Sequence, residues 1–290
     1  MGVIEIKNFI KHFGNVKAVD DITLSVNEGE IFGYLGPNGA GKTTTILCMM
    51  GFLNPTAGSI SVLGKDATRE RTALKNEIGY LSSDVHLYND LTGQDHFNLI
   101  ESVRGKSLIL DQLINDFSYD PKIKVKNLST GNKQKLGVLM CFMNQPKILI
   151  LDEPTKGLDP ILQNKVYEYL LNFKKNGTTI FMSSHNLDEV EKLCDHVGII
   201  RTGKLVAVET IRTLKEKRIH VVRVNFNEHP NIDIFKTLDI EDLVELANNE
   251  ISFKVKGDIT PIIREISKYG LQNLEVTYAA LEEIFMEYYI

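Results

Sequence analysis

Gly36-Pro-Asn-Gly-Ala-Gly-Lys-Thr-Thr44 is the stretch whose reading decides the fold. Just before it, Glu30-Ile-Phe-Gly-Tyr-Leu35 predicts a short buried strand. Just after it, Thr45-Ile-Leu-Cys-Met-Met50 predicts an apolar helix over 43–52. A strand, a glycine-rich loop, Lys-Thr and a helix form the context in which such a pattern cradles phosphates. Gly36, Gly39 and Gly41 permit a tight backbone path whose N–H groups converge on phosphate oxygens, and the helix N-terminus behind them adds partial positive charge. Asn38, Ala40 and Thr44 belong to the same loop. Lys42 can reach the β- and γ-phosphates, and the Thr43 hydroxyl can ligate Mg²⁺. The loop predicts binding of a nucleoside triphosphate.

The chain around it has 290 residues, of which 43% are hydrophobic and 24% charged. One large domain plus a small one fits that length and ordinary globular composition. A net charge of −5 argues against a general nucleic-acid binder, and no nucleic-acid partner is expected. Cys48, Cys141 and Cys194 lie far apart without metal-ligand spacing and read as buried hydrophobes in a reducing compartment. Met1-Gly-Val-Ile-Glu-Ile-Lys7 alternates like a strand and lacks a signal-peptide profile. No apolar run approaches the roughly 20 residues of a spanning helix. The expected location is cytoplasmic, with any membrane role exercised through a partner.

Outward from the loop, strands are predicted at 3–9 and 19–26 around a Gly14-Asn15 turn, with Phe13 read as a strand-end core aromatic. Short strands at 58–63 and 77–81 follow, then helical apolar spacing at 92–104 and 107–116. Leu128-Ser-Thr-Gly-Asn132 opens a long helix running to about Asn144, with Ser129 as its N-cap. The N–H groups around Gly131 then make a second helix N-terminus able to meet an anion. Four apolar residues in Lys147-Ile-Leu-Ile-Leu-Asp152 suit a strand buried on both faces of a parallel sheet. Asp152 and Glu153, just past its C-terminal end, sit where ligands bind in α/β folds. Asp152 can hold Mg²⁺ through water, and Glu153 can accept a proton from attacking water. A helix at 161–174 and a strand at 178–182 lead to His185. Asn186, with Glu189 three residues on, reads as a capping arrangement. Strands near 196–201 and 204–208 close this domain. A charged segment, Arg212 to Arg218, marks the boundary. Beyond it, strands at 219–227, 242–247 and 250–256, a helix at 260–269, a strand at 271–276 and a helix at 279–289 describe a small α+β unit with a ferredoxin-like order.

Taken together, Gly36–Thr44, Leu128–Asn132, Ile148–Glu153, Gly157-Leu-Asp159 and His185 resemble, in order and spacing, the Walker A, signature, Walker B, D-loop and H-loop motifs of ABC transporter ATP-binding subunits. The resemblance covers residues 1–215, with a helical subdomain at about 84–145, and leaves 216–290 as an accessory domain. It implies a P-loop ATPase of α/β class with ATP and Mg²⁺ as cofactors. Phe13 would stack on adenine, Glu153 would be the general base, and His185 would contact the γ-phosphate. Two copies, or this chain and a homologous ATPase subunit, would pair head to tail. Ser129, Thr130 and Gly131 would then cover the nucleotide of the other chain, and Asp159 would lie at the interface. A separate transmembrane permease would hold the subunit at the inner face of the cell membrane. The tail Glu275–Phe285 resembles the extension of exporter ATPases, including exporters of amphipathic or antimicrobial peptides such as phenol-soluble modulins.

Three positions depart from the family pattern. Thr130 and Asn132 replace a glycine and a glutamine of the signature, and both keep a hydrogen-bonding helix start. Ser83 stands where a metal-facing glutamine is expected; beside Thr43 and Asp152 it is a candidate metal contact through water, with the neighbouring Asp84 carboxylate as the alternative oxygen donor. A different class, a soluble ABC ATPase without a membrane partner such as the iron–sulfur assembly type, shares the same motifs.

Overall fold

The computed structural model describes residues 2–216, 219–228 and 231–278. They divide into two compact units, one ending at Glu209 and the other beginning at Thr210.

The first unit comprises β1 (Ile4–Phe13), β2 (Val16–Val26), β3 (Ile31–Leu35), α1 (Lys42–Met49), β4 (Ala57–Val62), β5 (Lys65–Asp66), α2 (Arg71–Glu77), β6 (Ile78–Leu81), α3 (Gly93–Arg104), α4 (Leu110–Asp116), α5 (Thr130–Phe142), β7 (Ile148–Asp152), α6 (Pro160–Lys175), β8 (Thr179–Ser184), α7 (Leu187–Leu193), β9 (His196–Arg201) and β10 (Lys204–Thr210). Its centre is a six-stranded sheet in the order β10-β9-β3-β8-β7-β6. The five strands from β9 to β6 run parallel. β3, β7 and β8 are buried along their whole length, as unalternating apolar runs require when both sheet faces are covered. A second sheet, β2-β1-β4-β5, is antiparallel. Its inward residues Ile4, Ile6, Phe9 and Ile22 join Ile46 and Met49 of α1 and Phe32, Tyr34 and Phe181 of the parallel sheet in one core. Phe32 and Phe181 stack at 5.7 Å. α1 is thereby clamped on its apolar side, which holds the loop in front of it.

Register places the ends of the central strands level with one another. Leu35 pairs with Ser184, Ser183 with Asp152, and Leu151 with Leu81. The chain therefore leaves β3, β8, β7 and β6 at one carboxyl edge.

The helical segment is built on α3, α4 and α5. Thr92 and Asp95 form a reciprocal capping box at the start of α3. Phe117 and Phe142 pack their rings against Tyr169 of α6.

The second unit comprises α8 (Ile211–Glu216), β11 (Ile219–Phe226), a 3₁₀ turn at Ile232–Thr237, β12 (Glu241–Glu245), β13 (Glu250–Lys256), α9 (Thr260–Ile266) and β14 (Leu271–Tyr278). Its sheet order, β12-β13-β11-β14 with every neighbour antiparallel, is that of the split βαβ arrangement. The 3₁₀ turn stands where the first helix of that arrangement belongs. Asn248 and Asn249, with φ of 63° and 57°, turn the chain between β12 and β13; both left-handed positions favour Asn in such a hairpin. Phe226, Phe235 and Phe253 centre a separate core.

Three expectations change. α2 was not anticipated because Leu74 is its one buried residue, so no apolar period marks it. The segment from Arg212, expected as the domain boundary, lies in helix α8: Ile211 and Leu214 are buried one turn apart, and Thr210 caps it by accepting from Thr213 N at 2.9 Å. Phe13 is not a core aromatic. It is 47% exposed, with Lys11 Nζ 4.8 Å from its ring centroid. The helix expected at 279–289 lies outside the described residues.

The separate cores give a direct expectation. A chain ended after Thr210 should remain soluble and bind nucleotide as the full chain does, measured by circular dichroism and nucleotide titration. Insolubility or collapsed affinity would show that the first unit does not fold alone.

Candidate active site

The loop between β3 and α1 needs its glycines for two different reasons. A Cβ on Gly36 would lie 2.3 Å from the Ile200 carbonyl oxygen, so the backbone approaches β9 too closely for any side chain. Gly41 has φ 109°, a conformation side chains rarely adopt. α1 begins directly after it, without a side-chain cap, leaving its first N–H groups facing the loop.

Lys42 is 6% exposed. Its Nζ donates to the carbonyls of Gly36 at 2.6 Å and Pro37 at 3.1 Å, and lies 3.8 Å from Glu153 Oε1. Burial holds its pKa below the usual lysine value, while Glu153 and Asp152 pull it up. Thr43 Oγ1 donates to Asp152 Oδ2 at 2.8 Å. The other Asp152 oxygen accepts from Ser183 Oγ on β8, so this buried carboxylate has both oxygens bonded. Thr43 and Asp152 thus bring two hard oxygen donors together, the ligand type that Mg²⁺ takes.

Glu153 sits at φ 51°. A left-handed backbone at a non-glycine residue costs roughly 1–3 kcal/mol and persists where its surroundings hold it. Here Ser183 does so: Glu153 N donates to Ser183 Oγ at 3.1 Å. The turn carries the Glu153 carboxylate towards Lys42 and puts Oε1 3.1 Å from His185 Nδ1. The resulting cavity, about 800 Å³, is lined by Asn38, Gly39, Gly41, Lys42, Thr43, Thr44, Ser83, Glu153, Lys156 and His185, with Val16, Lys17, Ala18 and Thr202 closing it.

Other sequence-predicted residues lie elsewhere. Ala40 is buried behind the loop. Ser129 and Thr130 are exposed at the start of α5, where Ser129 Oγ accepts from Asn132 N at 3.3 Å. With Gly131 they do not line the cavity. Phe13 is likewise outside the lining, although Val16 across the same turn is part of it. Asp159 caps α6 by accepting from Leu162 N at 2.9 Å. Asp84 faces Lys156 Nζ at 3.5 Å, leaving Ser83 as the residue of this loop that meets the cavity.

Sequence reasoning missed Lys156 and misread Glu189. Asn186 does cap α7, accepting from Asp188 N at 2.9 Å. Glu189 does not return the bond, because Asn186 N already donates to Ser184 Oγ at 2.9 Å. Its carboxylate instead joins Thr155 and Ser184.

Comparison with known proteins agrees with this geometry. Residues 19–156 match the family model for ABC transporters. The chain is 31% identical to the uncharacterised ABC transporter ATP-binding protein YhcH of Bacillus subtilis, covering 98% of this chain and 95% of that one. It is 36% identical to the bacitracin transport ATP-binding protein BcrA of Bacillus licheniformis, covering 74% and 72%. A solved structure of an ATP-binding subunit of an ABC transporter superposes with a TM-score of 0.69 at 29% identity, covering 73% and 92%. Across the cavity, Lys42 and Thr43 from one loop face Asp152, Glu153 and His185 from two others, the arrangement an ATPase of this kind needs. The chain belongs to the ATP-binding subunits of ABC transporters and is an ATPase.

Proposed function

We propose that this ATPase drives export through a separate transmembrane permease, working as a pair with a second copy or a homologous subunit, and that its cargo is an amphipathic or antimicrobial peptide. The observation that carries the hydrolytic part is the Glu153 carboxylate, held between Lys42 Nζ and His185 Nδ1 at the mouth of the phosphate loop. ATP binds with its phosphates on the N–H groups of the loop and on Lys42. Thr43 and Asp152, with Ser83 beside them, would hold Mg²⁺, which would neutralise phosphate charge when bound. Glu153 accepts the proton of the attacking water, and His185, sharing Oε1 with it, positions that water against the γ-phosphate. Phe13, half exposed at the turn beside Val16, is free to stack on adenine. Ser129 and Thr130, exposed, and Gly131, half-buried, all outside the cavity of their own chain, are available to the nucleotide of the partner. Asp159, on the adjacent turn, would meet the same interface.

Support for the permease comes from an apolar groove of about 660 Å³ in the first unit, lined among others by Leu47, Phe52, Tyr80, Val85, Ile100 and Met140. It borders the loop that carries Ser83, so an occupant there would touch the segment facing the nucleotide. No described helix is long and apolar enough to cross a membrane, so a spanning partner would supply the channel. Similarity to a bacitracin transport subunit supports a peptide cargo.

The test is purification from detergent-solubilised membranes. A multispanning subunit should copurify with the chain, and amphipathic peptide should stimulate its ATPase. An ATPase that stays wholly in the soluble fraction would favour the soluble ABC class instead. Phe52 is 49% exposed, and its ring lies 5.7 Å from Tyr80. Phe52→Asp should therefore reduce copurified permease by about tenfold or more, as loss of an aromatic anchor does, with nucleotide binding unchanged.

Ser83 supplies a second check. Its hydroxyl falls short of a glutamine amide by about 2.5 Å, a gap one bridging water fills at little cost. Ser83→Ala should shift the Mg²⁺ dependence of ATPase mildly, and Asp84→Ala, whose carboxylate faces Lys156, should shift it less. No change in metal dependence for Ser83→Ala would remove the metal role of this loop.

A further inference from the structure

We propose that Glu189 is a positioning residue for hydrolysis: a buried strut that fixes the loop carrying Glu153 against the loop carrying His185. The proposal rests on the roles given above to those two residues.

Glu189 is 3% exposed, in the first turn of α7. An acid so placed ordinarily faces solvent or closes a capping box. Neither holds here. Thr155 Oγ1 donates to Glu189 Oε1 at 2.9 Å, and Ser184 Oγ donates to Glu189 Oε2 at 2.6 Å. Thr155 lies in the turn that follows Glu153, and that turn is closed by Lys156 N donating to the Glu153 carbonyl at 3.1 Å. Ser184 is the last residue of β8 and directly precedes His185. One carboxylate therefore spans the two chain segments whose side chains meet at Glu153 Oε1. Burial pushes its pKa up, against the two hydroxyl bonds that favour the ionised form. A group kept inside at that cost needs both bonds, and the two segments it joins are thereby held in place.

The contact it governs is sensitive to that placement. His185 Nδ1 and Glu153 Oε1 are 3.1 Å apart, yet the His185 side chain is 58% exposed. Little else packs against the imidazole, so its position follows its backbone, and Ser184 sets that backbone. Lys42 Nζ and Thr43 Oγ1 hydrogen-bond to groups other than Glu189, Thr155 and Ser184. The bond from Gly36 N of the phosphate loop to Ser184, at 3.3 Å, goes to the main-chain carbonyl and not to the Oγ that Glu189 holds. Loss of the strut should thus impair the step in which water is positioned and leave nucleotide binding alone.

Glu189→Ala should lower kcat by about 10–100-fold, the scale on which displacement by an ångström acts, with KM for Mg·ATP and nucleotide affinity essentially unchanged. Glu189→Gln retains an acceptor for Thr155 and presents an amide donor to Ser184 Oγ, so it should restore most of the turnover. A folding defect alone would lower the active fraction without this conservative rescue. If the alanine variant does not fold, Thr155→Val and Ser184→Ala each remove one arm; each should reduce kcat, and the double variant should reduce it further. Wild-type kcat in folded Glu189→Ala, or in the double variant, overturns the proposal. So does a loss of nucleotide affinity matching the loss of kcat, or a Glu189→Gln as impaired as the alanine variant. Glu153→Gln is assayed alongside. If it hydrolyses normally, the underlying assignment fails and the proposal with it; if it is inactive while Glu189→Ala is normal, the strut alone is wrong.

Discussion

Glu153→Gln is expected to lower ATP turnover by about 10²–10⁴-fold, the usual contribution of a positioned base, while leaving ATP bound. Glutamine keeps the shape of the side chain and an oxygen for His185, but it does not accept the proton of attacking water. The backbone should tolerate the change: the φ of 51° is held by Ser183 through the main-chain N–H, which the substitution does not touch. Removing the charge also frees Lys42, whose Nζ lies 3.8 Å from Glu153 Oε1, to serve phosphate alone. Nucleotide affinity should therefore hold or rise. If pairing follows ATP binding, an ATP-bound dimer should accumulate, read by size-exclusion chromatography with and without Mg·ATP. A variant that turns over at the wild-type rate would take the base assignment away from Glu153.

Lys42→Ala should act earlier. The Nζ now rests on the Gly36 and Pro37 carbonyls at 2.6 and 3.1 Å, aimed into the cavity and almost wholly buried. With triphosphate present, those contacts give way to charged oxygens. Hydrogen bonds to charged groups contribute about 1.5–3 kcal/mol each, so losing two lowers affinity by at least ~10². The variant should bind little nucleotide at millimolar ATP and show no ATP-dependent pairing. The two substitutions thus part company: one traps the ATP state, the other never reaches it. Equilibrium binding of a fluorescent ATP analogue distinguishes them, and tight binding by Lys42→Ala would place the phosphates elsewhere.

Sequence alone determined what local geometry controls. Gly36 to Thr44 is one continuous turn whose glycines, lysine and threonine carry their chemistry wherever the segment is placed, so the phosphate loop was legible at once. The same holds for β7. Four successive apolar residues admit a strand covered on both faces, and acids at its end then fall at the ligand edge of the sheet. Hairpins with explicit turn residues, such as Asn248-Asn249, were legible for the same reason.

Tertiary structure decided what depends on neighbours distant in sequence. That β8 lies between β3 and β7, so that Ser183 bonds Asp152 and His185 meets Glu153, follows from strand order, and periodicity carries no record of which buried strand adjoins which. Glu189 looked like a cap because its spacing from Asn186 is a local signal. Its role passed to Thr155 and Ser184 once Ser184 Oγ took the Asn186 N–H, a competition set by the packing of α7 against β8. Phe13 shows the converse. An aromatic at a strand end reads as core, but Phe13 sits at the hairpin end of β1 opposite Val16, where it stays about half exposed, and burial is a property of what covers a residue.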